Sequence, residues 1–530
     1  MRSCFLCEFF DSASEPCKFH RLVSVINSEI FRGSALIMCP PSKANRPPSY
    51  VSEHRHEEIW REDEGIAYKV PKYHPEPERR VQGARKDLTM AEVAKHDKRD
   101  DLWIIVDGKA YDVTKFADKH PGGWLPMMNL GGKDCTDAFA NYHPARVYKT
   151  MLPQYYVGDV VDYKESDFAK GHRAMRQQLL EEGLFETRPS FYWGLGTWLA
   201  FLGCTTMYLT LWCTSTVAHL SGAVTLALFW QQMAFLGHDI GHNAVSHVRV
   251  RDSVGGLMVG NLLTGIAMSW WKASHNVHHV CCNSIEHDPD IQHMPLFAVT
   301  DEIFHEDFYS TFHKRWVRKD AAARFLVAYQ HWLFYPIMAL ARFNLYAQSW
   351  ILLLDKNEFV WMRKWEILGQ LGFLAWYGAL VACFPSETSL GGWKERLSYV
   401  LISHMLAGVL HVQICLSHFA RDTYHGKAYN GEDDEWFRMQ CLTTLNIDCP
   451  WWMDWFHGGL QFQVEHHLWP RLPRHNLRRA QQLVKAFCKK HDVTYHNLPW
   501  VEAQVELVLH LRKAALKMRA SDQPVPSKAA

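Results

Sequence analysis

Apolar segments without charged side chains constrain the architecture of this chain more than any other feature. About 20 such residues are enough for a helix to cross a bilayer. A shorter run, Phe325–Ala341, ends at Arg342, so we expect it to be interfacial or re-entrant. The longer runs predict an all-α polytopic membrane domain with about four transmembrane helices over residues 195–500, followed by a tail over 501–530. Four of them reach 18 to 20 residues: Leu195–Thr214, Val217–Leu236, Ile367–Phe384 and Leu397–Leu416.

The first part of the chain has a different composition. Residues 1–83 are rich in Pro, Ser, Glu and Arg without sustained periodicity, which is typical of a disordered leader. They could bind zinc through a C-x2-C-x9-C-x2-H pattern, although the spacing is shorter than in the usual finger and can also be incidental. The net charge of the whole chain is +1, which argues against nucleic-acid binding. The four residues of the pattern are Cys4, Cys7, Cys17 and His20.

Residues 84–162 have the pattern of a compact α+β domain that contains two notable histidines. The alternating segment DLWIIVDGKAYDVTKF turns at Asp107-Gly108, which predicts a β-hairpin. His120 lies in the turn HPGG, and His143 lies 23 residues later in NYHP. Two imidazole ligands would saturate a haem iron, so such a site transfers electrons and does not bind oxygen. The next segment, 163–194, predicts an amphipathic helix at the membrane surface.

The two histidines are part of a longer recognisable pattern. HPGG, then GGKDCTDAF, then a second histidine resembles cytochrome b5 over about 75 residues. The resemblance implies haem b as the cofactor and His120 and His143 as its two axial ligands.

Three histidine boxes follow the soluble domain. On a helix, histidines three and four residues apart share one face, where they can hold the same metal. One further histidine lies at the end of the last apolar segment. The boxes are HDIGH with His238 and His242, HNVHH with His275, His278 and His279, and QVEHH with Gln463, His466 and His467; the further residue is His418.

This set of histidines suits oxygen activation at iron. Removing hydrogen from an unactivated methylene needs a strong oxidant, and imidazole binds iron while leaving positions for oxygen. Two irons need roughly eight nitrogen ligands, and the boxes with His418 supply eight, while Gln463 could orient a bound water or ligate weakly. A single histidine of this kind is more often structural. Zinc hydrolase chemistry is a weaker alternative, because it needs fewer ligands and no haem.

The order of the apolar segments predicts the topology. Two spans return the chain to the side of the N-terminal domain before the first box, and two more return it there before residue 420. The segment RLPRHNLRR is basic, which suits a cytosolic face. All boxes are therefore expected near one membrane face, on the side of the haem domain.

The boxes resemble those of membrane fatty-acyl and sphingolipid desaturases over residues 165–500. The glutamine that opens the third box, together with the cytochrome b5-like domain, resembles the front-end branch. The segments WWKASHNVHH, EHDPDIQHMP and HVQICLSHFA are most similar to fungal Δ8 sphingolipid desaturases. HDIGH has Ile240 where alanine is common in the family, a position expected to face away from the metal.

This resemblance implies the activity and the partners. It implies oxygen-dependent Δ8 desaturation of the long-chain base of sphingolipids at two iron ions, in the endoplasmic reticulum membrane with cytosolic haem and iron sites. NADH-cytochrome b5 reductase would reduce the haem, and a tether of about thirty residues would make the next transfer intramolecular. A front-end acyl (Δ5/Δ6-type) desaturase, a lipid hydroxylase and a membrane haem electron carrier are the alternatives.

Two groups of residues near the boxes have open roles at this stage. Asp288 and Asp290 follow the second box and could orient its rings, or could form a surface turn. Several tryptophans are expected to be interfacial or core residues rather than substrate contacts: Trp270, Trp271, Trp451, Trp452 and Trp455.

Overall fold

A computed structural model describes residues 85–304, 307–384, 392–427 and 435–521. The predicted leader and its cysteine–histidine pattern lie outside these residues. The described chain contains an N-terminal sheet domain and a large helical domain.

The N-terminal domain is built on a five-stranded sheet in the order β1-β5-β4-β3-β2, with β1 and β5 parallel. The predicted hairpin is confirmed, since Val106 pairs with Lys109 and the two turn residues both have positive φ. Its strands and helices are β1 (Arg85–Leu88), α1 (Met90–Val93), β2 (Asp97–Lys98), β3 (Asp101–Val106), β4 (Lys109–Asp112), α2 (Trp124–Asn129), α3 (Thr136–Tyr142) and β5 (Tyr156–Val160).

The sheet has a hydrophobic core on each face, as the alternation along β3 requires. Ile105 and Ala110 face a small core that includes Leu88 on β1. Ile104 and Tyr111 face a larger core, which continues without a break into residues of the helical domain such as Val277. The two domains are therefore packed together through a shared apolar interior.

The segment between the domains forms α4 (Asp167–Glu181), capped by the Ser166 side chain, which accepts from the Ala169 amide. The predicted amphipathic helix is present, but its buried face contacts protein. Phe168 packs edge-on against Phe487, and His172 packs against Phe437. Aromatic partners from the C-terminal part thus cover the face that was expected to lie on the membrane.

Within the described residues, five helical segments are long and apolar enough to cross a membrane, or six if a helix pair bent by 108° counts as one span. The five are α5 (Pro189–Leu211), α6 (Thr216–Gly241), α10 (Gln330–Leu354), α11 (Arg363–Cys383) and the pair α12 (Gly392–Ala407) and α13 (Val409–Leu416). The bent pair is α7 (Arg249–Gly256), which continues in π-helical turns to Thr264, and α8 (Met268–Val280).

The additional candidate span is α10, which includes most of the run expected to be interfacial. Arg342 suggested an end to that run, but it lies buried inside the helix. Its guanidinium stacks 4.1 Å from the Trp230 ring centre and donates to the Thr264 carbonyl at 2.7 Å. Because these contacts satisfy the buried charge, the helix continues to Leu354.

Burial separates central from peripheral helices. In α6 and in the α12–α13 pair, 56% of an 18-residue apolar stretch is buried, against 22% in α5, α10 and α11. The peripheral helices expose large apolar side chains such as Trp193 and Ile351. Apolar surface of this extent is typical of contact with lipid.

The remaining strands and α-helices lie among and after the candidate spans in the chain. They are β6 (Phe308–Ser310), β7 (Arg315–Val317), α9 (Ala321–Ala328), α14 (Glu435–Leu442), β8 (Asn446–Asp448), α15 (Asp454–His457), α16 (Gln463–Leu468), α17 (Leu477–Lys490), β9 (Asn497–Pro499) and α18 (Trp500–Ser521).

The last helix and the basic segment both pack into the domain. Residues 501–521, set apart in the sequence as a tail, belong to α18, whose Leu507 and Leu511 are buried in a core with Phe334. The basic segment RLPRHNLRR uses its charges internally: Arg474 pairs with the buried Asp239 at 3.0 Å, and Arg479 pairs with Glu182 at 2.8 Å.

Candidate active site

The structure brings all three histidine boxes and His418 together. His238 and His242 lie at the C-terminal end of α6, and the second box occupies the last two turns of α8. His418 follows the end of α13, and the third box forms the short helix α16. Four separate segments thus deliver imidazoles to one buried place.

The side chains divide into two groups, and within each group one possible ligand atom from every member lies within 4.8 Å of the others. His279 lies between the groups. Its Nε2 is 3.0 Å from His275 Nε2 and 3.1 Å from His466 Nε2, and its ring stacks on His467 with centroids 4.2 Å apart. The first group is His238, His242, His275 and His466; the second is His278, Cys282, His418 and His467.

The donor set is suited to metal ions. His242 Nε2, His279 Nδ1 and His467 Nε2 are buried without a hydrogen-bond partner among the described residues. Burial, reinforced by neighbouring rings, holds the pKa of His466 and His467 well below the usual value. Neutral imidazole is the form that binds metals, and such unsatisfied buried nitrogens are otherwise costly. Two ions held mainly by nitrogen therefore fit this site.

Asp288 and Asp290 act on the rings of the second box. Asp288 is fully buried and accepts from His278 Nδ1 at 2.9 Å, from the Asn283 amide at 2.7 Å and from the Asp290 amide at 2.8 Å. Asp290 accepts from Ser274 Oγ at 2.8 Å and lies 3.4 Å from His275 Nδ1. Carboxylates in this position fix ring orientation and leave Nε2 for a metal. The geometry favours this role over a surface turn.

Two residues that were not assigned to the site from the sequence also contact its histidines. Cys282 lies four residues after His278, and its Sγ is 3.4 Å from His418 Nδ1. Trp271 lies four residues before His275, with ring centroids 4.4 Å apart, and a Cβ at Gly241 would lie 2.0 Å from it. The i, i+4 spacing that defines the boxes could have indicated both residues.

The third box is held by a buried acid. Glu465 accepts from Asn446 Nδ2 at 2.7 Å and from the Tyr495 hydroxyl at 2.6 Å, which ties α16 to β8 and to the segment before β9. Gln463 is buried at the first position of α16, one turn before His466.

The other residues considered from the sequence lie further out. Ile240 packs against Gly255 and Gly256 on α7. Trp451, Trp452 and Trp455 are more than half exposed, in agreement with an interfacial position.

An open apolar cavity of about 810 Å³ lies along α5 and α6, and none of the box histidines is among the residues that line it. Its wall includes Met233 and Leu236, which lie within two turns of His238 on the same helix. Leu199, Phe229 and Leu263 form other parts of the wall. A volume of this size is in the range of ligand cavities.

His120 and His143 face each other across a gap suited to haem iron. Their ring centroids are 5.9 Å apart, which leaves room for one metal with two nitrogen bonds of about 2 Å. Nδ1 of His120 donates to the Gly123 carbonyl at 2.7 Å, and Nδ1 of His143 donates to the Phe139 carbonyl at 3.0 Å. These bonds leave both Nε2 atoms for the metal. Burial, with the neighbouring His120, lowers the pKa of His143 to about 3, so this ring stays neutral.

Comparisons with known proteins agree with a cytochrome b5-like domain followed by a desaturase domain. A family model described as "Fatty acid desaturase" matches residues 214–499, and one described as "Cytochrome b5-like Heme/Steroid binding domain" matches residues 89–161. Delta(8)-fatty-acid desaturase 2 of Arabidopsis thaliana is 42% identical over 84% of this chain and 96% of its own length.

Two further relatives are named for different activities. Acyl-lipid (9-3)-desaturase of Borago officinalis is 39% identical over 83% of this chain and 96% of its own length. Delta 8-(E)-sphingolipid desaturase of Emericella nidulans is 39% identical over 68% of this chain and 64% of its own length. The resemblance to cytochrome b5-fused desaturases is therefore confirmed, and with it the α+β haem domain followed by a helical domain. This chain belongs to the fatty acid desaturase family, as a multi-pass membrane oxidoreductase with a cytochrome b5-like domain fused ahead of it.

Proposed function

We propose that this protein introduces the Δ8 double bond into the long-chain base of sphingolipids. The observation that carries the proposal is similarity to Δ8 desaturases along most of the chain, including a protein named for sphingolipids. The two histidine groups and the nearby haem pocket provide the metal and haem ligands that such a reaction needs.

The proposed cofactors are haem b and two iron ions, with molecular oxygen as co-substrate. His120 and His143 would hold the haem. NADH-cytochrome b5 reductase would supply electrons, in the endoplasmic reticulum membrane with both redox sites in the cytosol. Gln463 would orient a bound water, and the iron ligands would be His238, His242, His275, His278, His279, His418, His466 and His467.

Iron in this site would supply the oxidising power that removes two hydrogens from an unactivated lipid chain with oxygen. The protein's own residues set the conditions for this step. Asp288 and Asp290 hold the rings of His278 and His275 through their Nδ1 atoms. Trp271 packs on the histidines and helps to exclude bulk water. The open apolar cavity along α5 and α6 would take the hydrocarbon tail, because it offers few competing polar contacts.

A front-end acyl desaturase is the second candidate. Acyl-lipid (9-3)-desaturase covers almost the same share of this chain at similar identity. The apolar cavity would accept a fatty acyl tail as readily as a sphingoid tail, since neither presents polar groups there.

Mass spectrometry of hydrolysed sphingoid bases and fatty acids tests the proposal. A host that lacks Δ8-unsaturated bases would express the intact chain, a His466→Ala variant, or a His425→Ala variant as a matched control with an exposed histidine. We expect a new base two hydrogens lighter with the intact chain and the control, and none with His466→Ala.

The other products identify the alternatives. New polyunsaturated fatty acids would assign the enzyme to the acyl branch, and a hydroxylated lipid would assign it to the hydroxylases. Absence of any new lipid, with normal expression and a haem spectrum, would contradict desaturation and favour a haem electron carrier.

A further inference from the structure

The haem domain is docked on the helix that carries the second histidine box. A Cβ at Gly122, in the HPGG turn, would lie 3.8 Å from Asn276 Nδ2, directly between His275 and Val277. Asn129 Nδ2 donates to Cys281 Sγ at 3.7 Å just beyond the box. The two candidate redox sites therefore meet through α8.

An ion pair lies at the edge of this contact. Lys427 of the helical domain donates to the Asp97 carboxylate of the haem domain at 2.8 Å and to its carbonyl at 3.1 Å. Both side chains are partly exposed, so this pair helps to orient the haem domain and adds little affinity.

Tyr142 is the side chain that reaches from one site to the other. It directly precedes the haem-ligand candidate His143 in the chain, so one peptide unit separates the two residues. Its ring meets the His279 ring edge-to-face, with centroids 6.5 Å apart and planes at 80°. The phenol hydroxyl is buried and has no hydrogen-bond partner within the described part of the chain. The ring, rather than the hydroxyl, makes the contact.

His279 is well placed to receive an electron for both histidine groups. Its Nε2 lies next to His275 and His466 of the first group, and its ring stacks on His467 of the second. Among the described histidines, His279 is the one that contacts both groups and also contacts an aromatic ring of the haem domain.

We propose that Tyr142 is the positioning residue for electron transfer from the haem to the iron site, through His143, the intervening peptide and His279. This inference rests on the proposed function. One electron passes at a time: a ferrous haem becomes ferric, and one ferric iron in the histidine site becomes ferrous. The Tyr142 ring is not itself oxidised and exchanges no proton, because it serves only to shorten the gap through space. An external one-electron donor restores the ferrous haem.

The contact on the His120 side is less suited to this role. Gly122 has no side chain, and the asparagine amide opposite it offers no aromatic ring. The rate of electron tunnelling falls steeply with the length of a gap through space. The Tyr142 ring beside His143 therefore offers the better-coupled route. A hydrocarbon side chain at 142 would fill volume without the same electronic coupling.

The test follows haem oxidation directly in the full-length, iron-loaded protein without oxygen or lipid. A pulse of photogenerated reductant reduces the haem, and absorbance then reports the transfer of its electron to ferric iron. The variants are Tyr142→Leu, Tyr142→Phe and the matched control Tyr156→Leu, which removes a ring that packs on Tyr111 within the haem domain. Iron-free protein gives the baseline, while the haem potential and melting temperature are measured for every variant.

We expect Tyr142→Leu to slow haem oxidation several-fold at unchanged haem potential, while Tyr142→Phe and Tyr156→Leu transfer at the wild-type rate. Wild-type transfer in Tyr142→Leu would overturn the inference and leave the proposed function intact. Slow transfer in Tyr142→Phe would also overturn it, because the hydroxyl would then matter. If Tyr142→Leu fails to fold, Tyr142→Met repeats the test with a flexible side chain of similar reach. Absence of transfer in wild-type protein would contradict the proposed function as well.

Discussion

Replacement of Asp288 by asparagine tests how the protein holds the second histidine box. Three N–H groups converge on the Asp288 carboxylate, from His278 Nδ1, Asn283 and Asp290. An asparagine retains one acceptor oxygen but turns an NH2 toward at least one of these donors. A buried donor left unpaired costs about 1–3 kcal/mol. Loss of such an outer partner weakens metal binding by roughly 10–100-fold, which is the same range of free energy.

The assay is retention of iron by purified protein during dialysis against increasing chelator concentrations. Asp288→Asn should release iron at roughly 10–100-fold lower chelator strength than the wild type and lose desaturation in parallel. The haem spectrum should not change, because Asp288 contacts no residue of the haem pocket in the described chain.

The matched control is Asp159→Asn in the haem domain, where the carboxylate is mostly exposed and pairs with Lys109. A surface change of this kind should stay within about 0.5 kcal/mol. Iron retention by Asp288→Asn equal to that of the control would refute the role assigned to the buried carboxylate.

Three further predictions address other parts of the molecule. His143→Ala should abolish the haem absorbance but leave iron binding intact, which parallel absorbance and metal analysis would show. Burial alone would raise the pKa of Asp137, but the neighbouring His172 and the Arg173 guanidinium hold this pKa at about 2. The resulting stabilisation of about 2 kcal/mol is complete above the unfolded pKa near 4 and is lost as pH falls toward 2, so melting temperature should drop between about pH 5 and pH 2. Glu395→Ala removes the hydrogen-bond partner of the fully buried His219 at 2.8 Å. A buried ring nitrogen left unpaired costs about 1–3 kcal/mol, so a loss of that size in unfolding free energy is expected; an unchanged melting temperature would contradict that pairing.

Local sequence patterns were sufficient where chemistry repeats at short range. The i, i+3 and i+4 spacing identified the box histidines as candidate ligands. It did not predict their grouping, since His275 and His278 of the second box fall into different groups, and so do His466 and His467 of the third. The hairpin at Asp107-Gly108 follows from residues that tolerate positive φ. Partners distant in sequence could not be predicted in this way. Arg342 looked like a helix end because its satisfying contacts, Trp230 and Thr264, come from other helices.

The position of the haem domain was also beyond the sequence patterns. The sequence indicated only a tether of about thirty residues, with an effective concentration on the order of millimolar. The structure instead has a shared core that joins the haem domain to α8. Apolar residues in the interface have the same sequence pattern as core residues within either domain. Their periodicity therefore does not reveal that the two cores are continuous.

The linker helix α4 has a more specific role than a tether, because it clamps the helix that ends at Tyr142. Arg173 donates to Asp137 in the first turn of α3 at 2.9 Å. One turn later, Arg176 donates to the Ala140 carbonyl in the last turn at 3.0 Å. Since α3 ends at Tyr142 and His143 follows it, these two arginines set the position of the haem-ligand candidate relative to His279. Fusion therefore does more than raise local concentration: it fixes the orientation in which the two candidate redox sites meet.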